Sequence, residues 1–271
     1  RAIRRGNLAE VKRFLDEGND IEAVGGRFHG TLLLESCRYH SAKVTDLLLE
    51  RGASVNVSGG GFWTPLHYAC DAKEDPALVT TLLRHRAEVD AIDFHGRSPL
   101  HIASKRGSSR VVLALLNAGA DPNAPDEDGR TPVHDAASNG RRVVIATLVD
   151  FGGRLTAVDQ ELDTPLHRAT REGQRVAMSL LRIAGADPDA VNCWGDLAGT
   201  LAPSYKMNPR SHPEVGDTAT AGLGAGCCVA CSAKRGRHYY FCRSEVLKDV
   251  PDHFILGPDG LPMAAKGEEP G

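Results

Sequence analysis

The chain has 271 residues, with 32 Lys and Arg against 35 Asp and Glu and a formal net charge of −3. No summed positive field therefore argues for a nucleic-acid backbone or an anionic membrane as principal partner, and the apolar runs are too short for the ~20 residues of a transmembrane helix. Seven cysteines, odd in number and unevenly placed, do not make a secreted disulfide framework, and they point to a reducing compartment, cytoplasmic or nuclear.

Five short segments recur at steps of 33 or 34 residues: Thr31 to Ser36, Thr64 to Ala69, Ser98 to Ala103, Thr131 to Ala136 and Thr164 to Ala169. A period of that length reads as stacked repeats rather than one globular core. Such a stack has no closed interior for an active site. It offers a groove of loop tips and helix faces, so the expected function is binding and not catalysis.

Each unit has the same internal order. Thr or Ser opens a short first helix as its cap, and Pro65, Pro99, Pro132 and Pro165 occupy the first turn, where a missing N–H costs nothing. Leu33, Leu66, Leu100, Val133 and Leu166 are core positions, and Ser36, Ala69, Ala103, Ala136 and Ala169 let the next unit approach closely. A second apolar block follows in each unit, such as Val111 to Leu116 and Val143 to Val149, with the spacing of an amphipathic helix. Gly18, Gly52, Gly119, Gly152 and Gly185 close these helices as left-handed residues. Arg86 stands where that Gly is expected, at a cost of about 1 kcal/mol, and a looser turn is expected there.

This order, with Thr-Pro-Leu-His nearly intact at 64–67, 98–101, 131–134 and 164–167, closely resembles the ankyrin repeat over residues 2 to about 195. The resemblance implies an all-α solenoid of paired antiparallel helices with β-hairpin loops, used to bind a protein or peptide. The expected division is an ankyrin-repeat domain at 1–202 with its first unit truncated, a linker at 203–226 and a Cys-containing tail at 227–271. Ala2 aligns with Ser36, so the chain starts inside a first helix, with sequence upstream or an incomplete cap. Trp194 to Ala198 enter a sixth, degenerate unit that serves as a C-terminal cap.

His67, His101, His134 and His167 fall in one column, one per unit and ~10 Å apart, which marks a structural hydrogen-bonding role rather than a metal or catalytic site. Cys37 and Cys70 share a column of small residues and read as packing. The candidate partner-binding residues are Phe62, Trp63, Tyr68, Phe94, His95, Arg97, Lys105 and Arg106, because interface anchors are often aromatic and the chain has only 14 aromatic residues. The competing reading has Trp63 and Tyr68 covering neighbouring units. Further along, Asp126, Glu127, Asp128, Asp135, Asp159 and Glu161 give the groove an acidic stretch, so the charge changes sign along it.

From Pro203 onward nine Gly and seven Pro fall within 69 residues and the period is lost. Cys228-x2-Cys231-x6-His238-x3-Cys242 supplies four ligands of the kind zinc takes, weakly resembling half of a treble-clef or MYND-type finger without its second Cys-x2-Cys pair. Two other readings stand beside zinc: a lipid anchor on Cys227, Cys228 and Cys231 next to Lys234 to Arg237, and a disordered tail with incidental cysteines. The functional alternatives are a substrate-recruiting adaptor, for instance of a ubiquitin ligase, and repeats that target a zinc-binding tail.

Overall fold

The computed structural model describes residues 2–25, 30–71 and 76–200, with two short strands further on, and the chain divides into compact units Arg1–Ser211 and His212–Gly271. In the second unit β1 (Ile255–Leu256) pairs antiparallel with β2 (Pro262–Met263).

The first unit is built from helix pairs. The short helices α2 (Leu32–Arg38), α4 (Pro65–Asp71), α6 (Pro99–Arg106), α8 (Pro132–Ser138) and α10 (Pro165–Arg171) pack on one another in one layer. The second helices form the other layer: α1 (Leu8–Asp16), α3 (Ala42–Glu50), α5 (Pro76–Arg84), α7 (Ser109–Asn117), α9 (Arg142–Asp150) and α11 (Arg175–Ile183). This is the all-α solenoid that the repeat pattern implies. The core runs between the layers: Leu66, Leu100, Val133 and Leu166 from the first helices meet Leu82, Leu115, Leu148 and Leu181 from the second, all essentially without exposure. Ala69, Ala103, Ala136 and Ala169 are fully buried, which a larger side chain would prevent at this spacing.

The Thr-Pro-Leu-His segment explains how units are joined. In α6, Nδ1 of His101 accepts from the backbone N–H of Ser98 at 3.1 Å and lies 2.9 Å from its hydroxyl. Its Nε2 lies 3.0 Å from the carbonyl of Arg130 in the next unit, so it carries the proton and donates. The pattern repeats as His67 to the Arg97 carbonyl, His134 to that of Asp163 and His167 to that of Asp196. Each histidine therefore caps its own helix and staples the following unit, so its structural role extends beyond its own turn. The next stitch is at the second-helix ends, where Asn56 Oδ1 accepts from Glu88 N and Asn123 Oδ1 from Arg154 N, at 2.9 and 2.8 Å.

Gly52, Gly119, Gly152 and Gly185 close their helices at φ 88°, 93°, 86° and 96°. Arg86 takes the same left-handed place at φ 63°. Its turn is not looser than the others: Ala87 N still bonds Leu82 O at 3.0 Å, as Ala53 N bonds Leu48 O at 3.0 Å. The backbone ladder and the packing of Leu82 hold the geometry, and the cost of the missing Gly shows as φ strain alone.

Candidate protein-binding surface

Between units the chain turns back as a row of five-residue hairpins, each closed by one backbone bond: Gly59 N to Trp63 O, Asp93 N to Arg97 O, Asp126 N to Arg130 O, Asp159 N to Asp163 O and Asn192 N to Asp196 O. In the last four the opening residue also holds the tip with its side chain. Asp93 Oδ1 accepts from His95 and Arg97 N–H at 2.9 and 3.0 Å, and Asp126, Asp159 and Asn192 repeat the pattern. Neighbouring tips are tied by backbone bonds, Phe94 N to Gly61 O, Glu127 N to His95 O, Gln160 N to Asp128 O and Cys193 N to Glu161 O, at 2.9 to 3.0 Å. A row of tips so fixed can present side chains without much ordering cost on binding.

The Gly59 to Trp63 hairpin departs from its neighbours. Gly59 stands where the others have Asp or Asn, so no side chain holds the turn. Phe62 sits at φ 59°, in the left-handed position that Gly96, Gly129 and Gly195 occupy at 72°, 77° and 82° and that Leu162 takes at 57° in the 159–163 hairpin. A bulky residue there is strained by about 1 kcal/mol, yet the ring is 59% exposed. It stacks on Phe94 of the next tip with centroids 6.4 Å apart and planes 15° from parallel, and Phe94 is 60% exposed. His95 meets the Phe94 ring edge-on at 5.6 Å.

The other candidate residues fall into two further places. Trp63 and Tyr68 are half-buried against the core, with ring centroids 5.0 Å apart, and Trp63 Nε1 donates to Asp93 Oδ2 at 3.2 Å. Arg97 is drawn into the turn: its Nη2 lies 2.7 Å from Asp93 Oδ2. Burial alone would raise the Asp93 carboxyl, but the hydrogen bonds from Arg97 and from the His95 N–H outweigh it and hold the group below its usual range. Lys105 and Arg106 end α6 on the first-helix face, Lys105 exposed and Arg106 Nε donating to Asp71 at 2.7 Å.

Trp63 and Tyr68 do not sit on a closed surface. With Arg38, His40, Gly60 and Asp71 they line an open cavity of about 540 Å³. The Arg38 guanidinium carbon lies 5.9 Å from the Tyr68 ring centroid, within cation–π range. Arg38, His40 and Asp71 are not among the residues picked out from the sequence. A signal existed, because Arg38 and Asp71 share the column of Lys105, two positions after the small Ser36, Ala69 and Ala103.

The acidic stretch needs correction. Asp159, from that stretch, is buried at 4% exposure and is not a surface charge, and neither is Asp163 beside it at 0%. The Arg168 guanidinium pairs with Asp159 and lies 3.2 Å from Asp163 Oδ2, Arg171 Nη2 lies 2.8 Å from that oxygen, and Asn192 Nδ2 donates to Asp163 Oδ1 at 2.8 Å. Burial pushes the Asp163 carboxyl up, against the pull of Asn192, Arg171 and Arg168. Burial likewise raises Asp135. Asp159 and Asp163 hold their hairpin to α10, leaving Glu127, Asp128 and the partly exposed Glu161 as the charge at the tips.

His67, His101, His134 and His167 each have both ring nitrogens engaged, so the column presents no lone pair to a metal or a substrate. Burial pushes His67 down, and His134 to about 4. Burial also raises Cys37 to about 12 and moves Cys70 the same way, which keeps both as inert thiols. Among the described residues no group of three or more His, Cys, Asp or Glu is placed to hold a metal ion. Cys228, Cys231, His238 and Cys242 lie outside the described residues.

A family model described as ankyrin repeats, in three copies, matches residues 58–126 and 100–192. Human cyclin-dependent kinase 4 inhibitor B is 35% identical over 109 residues, which cover 39% of this chain and 75% of that protein. The chain belongs to the ankyrin-repeat family. The putative ankyrin repeat protein YahD of Escherichia coli is 33% identical over 110 residues, 39% of this ankyrin-repeat chain and 54% of its own. Among solved structures, the ankyrin repeat domain of Bcl-3, described as a unique member of the IkappaB protein family, superposes with a TM-score of 0.64 at 27% identity, over 74% of this chain and 91% of that one. Ankyrin repeats are protein–protein interaction modules, and the stack seen here is a binding scaffold. No helix of the described residues is long and apolar enough to cross a membrane.

Proposed function

We propose that this protein binds a partner protein through the hairpin tips around Phe62 and Phe94 and the adjoining first-helix face, and that it acts as a scaffold without catalysis of its own. The observation that carries this reading is the stacked, solvent-exposed Phe62–Phe94 pair, one member of which is held in a left-handed backbone conformation. The stack offsets about as much as the strain costs, so the exposed ring surface adds little to folding, and desolvation by a partner supplies a benefit. Relatives named as inhibitors of cyclin-dependent kinase 4 support a protein as the class of partner. Free thiols at Cys37 and Cys70 support a cytoplasmic or nuclear setting.

The test is differential capture. Wild type, Phe62→Ser/Phe94→Ser and Val176→Ser, the last on the remote α11, are used as bait in extracts of the source cells. Proteins retained by wild type and Val176→Ser and lost from the double variant, with circular dichroism unchanged, are expected. Identical retention by all three would remove the tips from the binding surface.

A further inference from the structure

Beyond that reading, and independent of it, we propose that the end of the repeat stack opposite the hairpins docks on an anionic bilayer surface. Lys105, Arg110, Arg141, Arg142 and Arg175 meet the lipid headgroups.

Charge is divided between the two ends of the helices. The first helices run away from the hairpins and the second helices run back, so the turns that join them lie at the far end of each pair. In the pairs α6 with α7, α8 with α9 and α10 with α11, the joining stretches 105–110, 139–142 and 172–175 hold six Lys and Arg and one acid, Glu172. The hairpin-side stretches 117–130, 150–163 and 183–196 hold eleven Asp and Glu against Arg130 and Arg154. An anionic surface that attracts the first end repels the second, which fixes how the stack stands on it. The hairpin tips then face away from the lipid.

The basic groups are not used by the fold. Lys105, Arg110, Arg141, Arg142 and Arg175 are exposed and enter no ion pair among the described residues, whereas Arg106 is turned to Asp71. Three of them stand where they cost stability. Arg110, Arg142 and Arg175 lie in the first turns of α7, α9 and α11, which contain no acidic residue, while α1 has Glu10 there. A cation beside the positive end of a helix is unfavourable, and a layer of anions turns that cost into attraction for all three helices at once.

The turns also form one continuous surface. Arg141 Nε donates to the Lys105 carbonyl at 3.1 Å, and its side chain crosses the Gly107 turn, where an added Cβ would lie 2.6 Å from Arg141 Cδ. Ser41 Oγ reaches back to the Ile3 carbonyl at 3.2 Å in the same way. Successive turns are about 10 Å apart, the distance of packed helices, so the basic groups of three pairs span roughly 20 Å. The three turns hold no aromatic residue on which a nucleic-acid base could stack. They do carry Val143, 54% exposed beside Arg142, as an apolar group for the headgroup layer.

Sedimentation of the full chain with extruded vesicles tests this. The chain should sediment with phosphatidylcholine vesicles that contain ~30% phosphatidylserine, in about 0.1 M salt, and not with phosphatidylcholine alone. Arg110→Glu/Arg142→Glu/Arg175→Glu should partition at least ~10-fold more weakly, with Arg110→Gln/Arg142→Gln/Arg175→Gln between it and wild type. The new acids fall at helix N-termini that favour them, so the melting midpoint of the charge-reversed variant should equal or exceed that of wild type. Lost sedimentation is thereby separated from lost fold. Sedimentation unchanged by the charge reversal overturns the proposal, and a loss confined to Lys234→Glu/Arg235→Glu/Arg237→Glu would then assign the lipid contact to those residues. No sedimentation with either vesicle overturns it as well. If a polyglutamate peptide then bound wild type and not the charge-reversed variant, the basic end would be a site for an acidic protein instead.

Discussion

The hairpins at 59–63 and 159–163 occupy equivalent places in the stack and use opposite chemistry. The second is held by Asp159, buried and paired with Arg168, with Asp163 held by Arg168, Arg171 and Asn192. The first has Gly59 in place of that Asp and Trp63 over an open cavity, while both carry a bulky residue, Phe62 or Leu162, in the left-handed backbone position. One turn uses its polar residues to hold the fold, and the other gives up that hold and exposes aromatic surface. A repeat architecture tolerates this because each hairpin is also fixed by its neighbours, and local weakness at one tip need not spread.

The contrast can be broken at either end. Asp159→Ala strips two N–H groups of their acceptor and leaves Arg168 partly unpaired in a buried site. It should cost about 3 kcal/mol in urea unfolding, whereas a loss under 1 kcal/mol would make the network a surface ornament. Acid should loosen the histidine staples on both sides of the comparison. His134, depressed to about 4 against an ordinary 6.5, favours the folded state only while neutral. Its contribution is therefore complete above pH 6.5 and is lost as pH falls toward 4, by about 1 kcal/mol at pH 5.5, with His67 moving in the same direction. Asp163, raised by burial, acts the other way and favours folding as pH falls, so it offsets part of the loss at the bottom of that window. Melts between pH 7.5 and 4.5 measure the sum, and a flat profile would contradict the staple.

Smaller effects sharpen the first hairpin. Gly59→Asp restores the turn's missing acceptor at a residue with extended backbone, and should raise stability by about 0.5 kcal/mol in urea unfolding. Phe62→Gly should leave the unfolding midpoint within about 0.5 kcal/mol of wild type, since relief of the left-handed strain offsets the lost stacking. Partner binding by the same variant should fall more than tenfold. A large stability loss instead would make Phe62 a folding residue.

Much of this molecule was legible as a period. The columns of Leu66, Leu100, Val133 and Leu166, the small residues after them and the helix-closing glycines each follow from steric needs that recur in every unit. The histidine role was legible in kind, but the partner carbonyls of Arg97, Arg130, Asp163 and Asp196 lie 29 or 30 residues away and become neighbours only on stacking. Charge was the least legible quantity. Asp159 reads in sequence like its acidic neighbours at the tips, and only its contact with Arg168 shows that it is internal. Arg97 reads as a binding residue, and its geometry ties it to Asp93.

Sequence by itself determined the repeat, the helix pairs and the binding class of function, because caps, prolines, glycines and apolar spacing act over a few residues and are copied from unit to unit. Tertiary structure decided which charges face water and where a cavity opens. Those depend on side chains from successive units, Arg38 with Tyr68 and Asp159 with Arg168, whose meeting is set by the stacking distance and not by any local pattern.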